Sequence, residues 1–566
     1  MQPELWGGIE CTINRIGNEY KDQLSYSDHY KRPDDIESFA SLGIKAIRYP
    51  ILWEKHEPQY QQPINWRWTD GQLKKIQDTG MTPIAGLLHH GSGPLFTNLL
   101  DPSFPQLLAE YAYKVARRFP WLTYYTPVNE PLTTARFSGL YGHWFPHHRN
   151  DLSFYKMILN QLKAIVLSME AIRSVNSGAK LIQTEDLGKT HSTPLLAHQA
   201  SFENERRWLT FDLLTGKLNP ESNQYQYMLG CGIREDELRF FHNLKVKPDI
   251  LGLNYYVTSE RWLDEAVENY SSETIGGNTA QVYADTEVVR VYPDRRFGFR
   301  KLAQEVWERY GIAMAATEVH LHCTRDEQMR WFKEIWDDAL SLCDKGIHMK
   351  AVTAWSLLGS FDWDSLLTKT GTQYESGIFD IKTFSGHLRK TGLVNMLQQI
   401  SAGRAPDHAV LKTGGWWSSG GAIDQIPPLI IYVPKIPNRK FSPEQLDYLK
   451  KQFSDTCGTR RIYFLVLETL EDVKCLPVKP WAIIDLGENP LAFSNQETKN
   501  VSLVNFRGGS HHSTCLTIGW AQRPLTIHQV NKILDLLIDG ETGFWIFDSG
   551  GIIFKSIERR PANYVT

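Results

Sequence analysis

Two carboxylates, Glu130 and Glu318, are the residues in this chain whose type and placement most suggest chemistry. Glu130 closes an apolar and aromatic run, Tyr124-Tyr125-Thr126-Pro127-Val128-Asn129-Glu130, and Pro131 follows it. A proline cannot donate to a strand ladder and keeps the residue before it extended, so Glu130 is expected at the carboxyl end of a strand. Glu318 ends a second such run, Ala313-Met314-Ala315-Ala316-Thr317-Glu318. Two opposed acids suit glycoside hydrolysis, where one protonates the departing oxygen and the other attacks or stabilises the anomeric carbon. The division of labour needs their proton affinities pushed apart. The apolar and aromatic residues behind Glu130 favour its neutral form, and Arg48 and Tyr256 near Glu318 would hold that carboxylate ionised. The acids lie 188 positions apart (318 − 130), so only a closed fold brings them together.

The elements that would position them show as an alternation. Strand-like runs are expected over 5–11, 45–52, 82–89, 124–128, 179–184, 250–256, 313–318 and 349–355. Helical patterns lie between them at 33–42, 70–79, 104–118, 154–174, 299–310 and 325–344, with 385–400 after the last. Gly43 and Gly80 each follow a helical run and act as stops. Strands alternating with helices in this number predict a parallel sheet closed into a (β/α)8 TIM barrel. Such a barrel gathers functional side chains where strands end. Those ends read Asn14, Arg48, His89-His90, Asn129-Glu130, Glu185-Asp186, Asn254 with Tyr256, Glu318 and Trp355. Contact with solvent explains some of this polarity. It does not explain two carboxylates, an arginine and a histidine at one mouth.

The texture changes beyond Arg404. Gly414-Gly415-Trp416-Trp417-Ser418-Ser419-Gly420-Gly421, closed by Pro427-Pro428, reads as a linker over 406–428. The expected domains are therefore a barrel over 1–405 and a smaller mixed α/β domain over 429–566. In the latter, strands are expected at 429–433, 462–467, 482–486, 501–505, 516–520 and 543–548. Helices are expected at 442–453, with Ser442 as N-cap and Pro443 first in the helix, and at 526–538. The polar cluster from Asn505 to His512 reads as a loop, and nothing in this region spells out a role.

Composition narrows the function classes. The chain has 566 residues, 42% hydrophobic and 22% charged, with net charge −3. This is globular composition, with no electrostatic reason to expect nucleic acid or an anionic membrane. Seven cysteines without CxxC spacing argue against a disulfide framework and for a reducing compartment. No signal segment is visible, and no apolar run approaches the roughly 18 residues needed to insert in a bilayer. The expectation is a cytoplasmic protein acting on a carbohydrate or glycoside. Its 18 tryptophans suit the C–H faces of sugars as well as a large core.

The motifs as a set resemble glycoside hydrolase family 1, retaining β-glycosidases built on a (β/α)8 barrel. Val128-Asn129-Glu130-Pro131 is similar to the family's acid/base motif and Thr317-Glu318 to its nucleophile motif. Asp28-His29-Tyr30-Lys31-Arg32 with Leu42-Gly43 and Arg48, Leu87-Leu88-His89, Leu253-Asn254-Tyr255-Tyr256, and Trp355-Ser356-Leu357-Leu358 with Phe361-Asp362-Trp363 match further segments in order. The resemblance implies that Glu130 is the acid/base and Glu318 the nucleophile, oriented by Arg48 and Tyr256. It implies that Asn129 binds the 2-hydroxyl, that His89 and Trp363 hold the glycone, and that Trp355 is a stacking floor. Asn254 belongs to the same pocket. No cofactor is implied.

Departures cluster in the sugar pocket. Asn14 stands where the family has Gln and Asp362 where it has Glu, each one methylene shorter, and His90 replaces a Trp. A site that hydrogen-bonds one set of hydroxyls rejects others strongly, so a glycone other than plain glucose or galactose is expected. The same two steps also admit transglycosylation. Two other readings compete. A strand continuing past Glu318 would put Glu318, His320 and His322 on one face as metal ligands, but the strand is expected to stop at Glu318, and no metal is assigned. A carbohydrate-binding or interaction protein could have kept the barrel and lost the reaction, yet it would have no use for two opposed acids.

Overall fold

A computed structural model describes residues 2–242, 244–278, 280–371, 373–382, 386–418, 426–435, 441–487, 501–506, 516–519, 524–547 and 553–555. It divides into two compact units, residues 1–321 with 334–377, and residues 322–333 with 378–566.

In the first unit eight strands form a closed parallel barrel, the (β/α)8 architecture expected. They are β1 (Glu4–Gly8), β2 (Ala46–Pro50), β3 (Thr82–Gly86), β4 (Tyr124–Thr126), β5 (Lys180–Asp186), β6 (Ile250–Asn254), β7 (Met314–Val319) and β8 (Met349–Ala354). Neighbours in sequence are neighbours in the sheet, and β1 pairs with both β2 and β8. Each strand falls on an expected run. Most stop short of its carboxyl end, because pairing ceases where the chain turns into the mouth. Helices Phe104–Arg118, Phe299–Tyr310 and Arg325–Asp344 have the expected bounds.

The barrel interior is layered by strand parity. Trp6, Ala46, Ile84, Ile182, Ile250, Ala315 and Ala351 form one buried cluster, roughly one residue per strand. Side chains alternate across a strand, so the residue two positions on faces the same way. Those residues include Gly8, Arg48, Thr184, Gly252 and Thr317, and the layer above the apolar floor is therefore small or polar. Gly252 has no alternative. A Cβ there would stand 2.7 Å from both Thr184 Cγ2 and Thr317 Oγ1.

Between β5 and β7 lies structure that the periodicity did not announce. Helices Ala197–Arg206, Leu209–Thr215, Asn223–Gly230 and Glu235–Arg239 precede β6. A four-stranded sheet joins Ile275–Gly277, Val282–Glu287, Arg261–Asp264 and Thr190–Ser192. These pieces are too short for a sustained period to emerge.

The second unit holds a seven-stranded sheet of β9 (Leu429–Tyr432), β10 (Phe464–Leu467), β11 (Ala482–Asp485), β12 (Ser502–Phe506), β13 (Leu516–Gly519), β14 (Gly543–Phe547) and β15 (Ile553–Lys555). Their order is β10-β9-β11-β12-β13-β14-β15, parallel except for the last pair. Helix Pro443–Thr459 starts as expected at Ser442, whose side chain accepts from Gln445 N while the Gln445 side-chain oxygen accepts from Ser442 N. Thr526 and Gln529 repeat the device at Ile527–Ile538. The expected loop from Arg507 to His512, linker residues 419–425 and the first residue of the expected helix at 385–400 lie outside the described residues; that helix is seen over Gly392–Ser401. Among the described residues no helix is long and apolar enough to cross a membrane.

Candidate active site

The carboxyl ends of the strands bring Glu318, Arg48, Tyr256, Asn129, Asn254 and Glu130 into one connected network. Glu318 enters it through an irregularity. The register of β7 shifts past Ala316 against both β6 and β8, which marks a β-bulge around Thr317. An unbroken strand would send Thr317 and Glu318 to opposite faces; the bulge lets both turn inward. Glu318 Oε1 accepts from Arg48 Nη1 at 2.8 Å and Oε2 from the Tyr256 hydroxyl at 2.5 Å. Arg48 also donates to Thr317 O (2.9 Å) and Asn129 Oδ1 (2.7 Å), and lies 4.7 Å from the Trp355 ring centre. A buried guanidinium held by four partners is a rigid counter-charge for the carboxylate. Burial and the adjacent Glu318 charge push the Tyr256 phenol well up, so it stays a donor.

Glu130 sits at a sharp corner. Its φ of 45° is in the left-handed region, and the short helix Pro131–Ala135 starts directly after it. A non-glycine residue there is strained by on the order of 1–3 kcal/mol, which the surrounding structure must over-determine. Glu185 does part of this by accepting from Leu132 N (2.9 Å) and Thr210 Oγ1 (2.7 Å). Glu130 Oε1 accepts from Asn254 Nδ2 at 2.5 Å. Burial raises its proton affinity well above the ordinary range, the charges of Glu318, Asp186 and Glu185 raise it further, and the Asn254 bond opposes them. Glu130 is therefore built to carry a proton.

Two threonines fix the amides. Thr184 Oγ1 donates to Asn129 Oδ1 at 2.7 Å and Thr317 Oγ1 to Asn254 Oδ1 at 2.6 Å. Asn129 thereby turns its Nδ2 towards His89 (3.3 Å) and His90 (3.4 Å). His89 stacks on Trp355, centroids 5.5 Å apart, while His90 meets Trp363 edge-on at 5.4 Å. Burial drives His90 down to about 3 and His89 well below its usual value, so both rings are neutral near pH 7.

Asn14 and Asp362 stand apart from this network. The expectation put Asn14 at the end of the first strand; that strand stops at Gly8, and Asn14 belongs to a hairpin of Ile13–Ile16 with Glu19–Asp22. It is fully buried, and neither side-chain polar atom has a hydrogen-bond partner. Asp362, with φ 59°, turns its carboxylate onto its own loop, accepting from the backbone amides of Gly371 and Gln373. His320 pairs with Glu375 at 3.1 Å.

Residues not singled out from the sequence complete the site. Thr184 and Thr317 were detectable by parity, two positions past inward Ile182 and Ala315. Glu10 lies two residues past Gly8, beyond the end of β1. It is buried, accepts from Thr12 N (2.9 Å) and Thr12 Oγ1 (2.5 Å), and its N–H donates to Ser356 Oγ at 2.9 Å.

This barrel is shared with solved enzymes. A family 1 β-glucosidase from Thermotoga maritima superposes with TM-score 0.59 at 17% identity, covering 71% of this chain and 98% of that one. The AHE enzyme from Alicyclobacillus herbarius superposes with TM-score 0.55 at 17% identity, covering 66% and 87%. In sequence, the chain is 22% identical over 424 residues to Beta-glucosidase 1 of Oryza sativa subsp. japonica, spanning 64% of this chain and 78% of that protein. The model of Glycosyl hydrolase family 1 matches residues 9–376, from the turn after β1 to past the Asp362 loop. That span is well over half the chain and contains every residue of the network above: the protein belongs to glycosyl hydrolase family 1.

Proposed function

We propose that the protein hydrolyses O-glycosides with retention of configuration, through a covalent glycosyl-enzyme on Glu318. One observation carries the reading: Arg48 and Tyr256 both donate to Glu318, while buried Glu130 is held protonated beside Asn254. In the first step a Glu318 oxygen bonds to the anomeric carbon as its bond to the leaving oxygen breaks, and Glu130 gives that oxygen its proton. In the second, Glu130 takes a proton from water, the water oxygen bonds to the anomeric carbon, and Glu318 departs as carboxylate.

The electrostatics support the change of role. Part of the elevation at Glu130 comes from the charge on Glu318. Esterifying Glu318 removes that charge, so the proton affinity of Glu130 falls and it stands as a carboxylate ready to take a proton from water. Asn129, His89, His90 and Trp363 surround the glycone, and Trp355 floors it. The unpartnered amide of Asn14 is available to a sugar hydroxyl. An alcohol in place of water would give transglycosylation by the same chemistry.

Intact mass after incubation with 2-deoxy-2-fluoro glycosides bearing good leaving groups tests this. The expected result is one adduct per chain, mapping to Glu318. An adduct on another residue overturns the assignment, as does hydrolysis with inversion. Product analysis with added alcohol separates hydrolysis from transfer.

A further inference from the structure

We infer that Glu10, and not Asp362, is the carboxyl that binds a hydroxyl of the sugar, and that it helps set which glycone enters. The inference rests on the glycosidase reading above. Its first support is placement. Trp6 and Gly8 share the inward face of β1, and Glu10 follows two residues past the end of that strand. Gly8 pairs with Arg48, accepts from Leu357 N at 2.8 Å, and lies so close to Trp355 that a Cβ would stand 2.6 Å from its ring. The Glu10 backbone is tied to Ser356, the residue after Trp355.

The second support is orientation. Thr12 takes Oε1 through both its amide and its hydroxyl, which fixes the plane of the carboxyl. The side chain of Trp363 favours the charged form of Glu10, Glu10 feels the charge of Glu318, and its own charge is felt by Tyr256. Glu10 thus lies among the groups that surround the reacting carbon. Asp362, by contrast, has an oxygen committed to each of two backbone amides of its loop.

The third support is chemical economy. Burial holds Glu10 up to about 7, a cost that an apolar residue in a purely structural place would avoid. Both Thr12 bonds fall on Oε1, so Oε2 keeps acceptor capacity that a sugar hydroxyl fills. Such an acceptor selects a neutral hydroxylated ring and disfavours one bearing its own carboxylate or phosphate at that position.

The test is a double-mutant cycle on kcat/KM. Wild type, Glu10→Ala and Glu10→Gln are compared on an accepted glycoside and on its set of monodeoxy analogues, after circular dichroism confirms folding. Glu10→Ala is expected to lose about 10- to 100-fold on the parent, and less than about threefold on the one analogue lacking the hydroxyl it binds. Glu10→Gln, which keeps an acceptor oxygen, recovers part of the loss and abolishes an ionisation near neutrality in the pH profile. Equal losses on every analogue overturn the inference while leaving the glycosidase reading intact. A folded wild type that neither turns over nor is labelled by any glycoside overturns both.

Discussion

Thr317 donates to Asn254 Oδ1 at 2.6 Å, and that bond decides which end of the amide meets Glu130. With the oxygen occupied, Nδ2 faces Glu130 Oε1 at 2.5 Å and stabilises its charged form. Removing the donor should therefore raise the proton affinity of Glu130 further. In Asn254→Ala, and more weakly in Thr317→Val, the alkaline limb of kcat/KM is expected to move to higher pH. The pH–rate profile reads the sign directly; a shift to lower pH contradicts the assignment.

Glu130→Gln removes the proton donor and leaves the geometry. Glycosides with poor leaving groups should lose about 10²–10⁴-fold in kcat. Those with strongly activated leaving groups should be formed into glycosyl-enzyme almost normally. Comparing the variants across leaving groups in single-turnover kinetics checks this, and a uniform loss would remove Glu130 from the acid role.

Arg48→Met strips the counter-charge from a buried carboxylate and leaves Asn129 and the Thr317 carbonyl short of a donor. Breaking a buried pair from one side costs roughly 3–5 kcal/mol. Denaturant unfolding is expected to show a loss of that order, together with activity reduced to background.

Glu10 also makes a statement about stability. Its proton affinity is raised by burial from 4.5 to about 7. Between those values the folded chain holds a proton that the unfolded chain has released, so stability falls as pH rises through that window. The contribution is present below about 4.5 and lost by about 7, with an upper size of roughly 3 kcal/mol. Unfolding of wild type against Glu10→Gln at pH 5 and pH 7.5 should show the variant gaining relative stability at the higher pH. A difference that stays flat contradicts the burial of this group.

Gly252→Ala probes the packing beneath the catalytic layer. The added methyl meets Thr184 and Thr317 together at 2.7 Å. Overpacking of this kind costs about 1–3 kcal/mol. Because those threonines fix Asn129 and Asn254, thermal stability and kcat/KM should fall together, whereas a surface methyl would change neither.

The eight strands were legible because each is an apolar run bounded by turn signals, and Glu130 and Glu318 because each ends such a run. The inserted helices and small sheet before β7 were not, since five- to ten-residue pieces leave no period to measure. Asp362 shows a different limit. Its residue type suits a sugar, but its direction is set by amides nine and eleven residues away, which no local pattern contains. Asn14 misled through the length of the first strand, which stops at Gly8. Glu10 lies two positions past the last paired residue of β1, where alternation no longer fixes a face.

The irregularity in β7 sets how this site can change over generations. Replacing a side chain in the network alters the contacts that side chain makes and leaves the backbone path of β7 in place. Deleting Thr317, the one residue between Ala316 and Glu318, would restore plain alternation with the carboxylate still turned inward opposite Asn254, and would remove the hydroxyl that holds the Asn254 amide. A lineage losing that one codon would keep its barrel and its inward carboxylate, and lose the bond that aims Asn254 at Glu130.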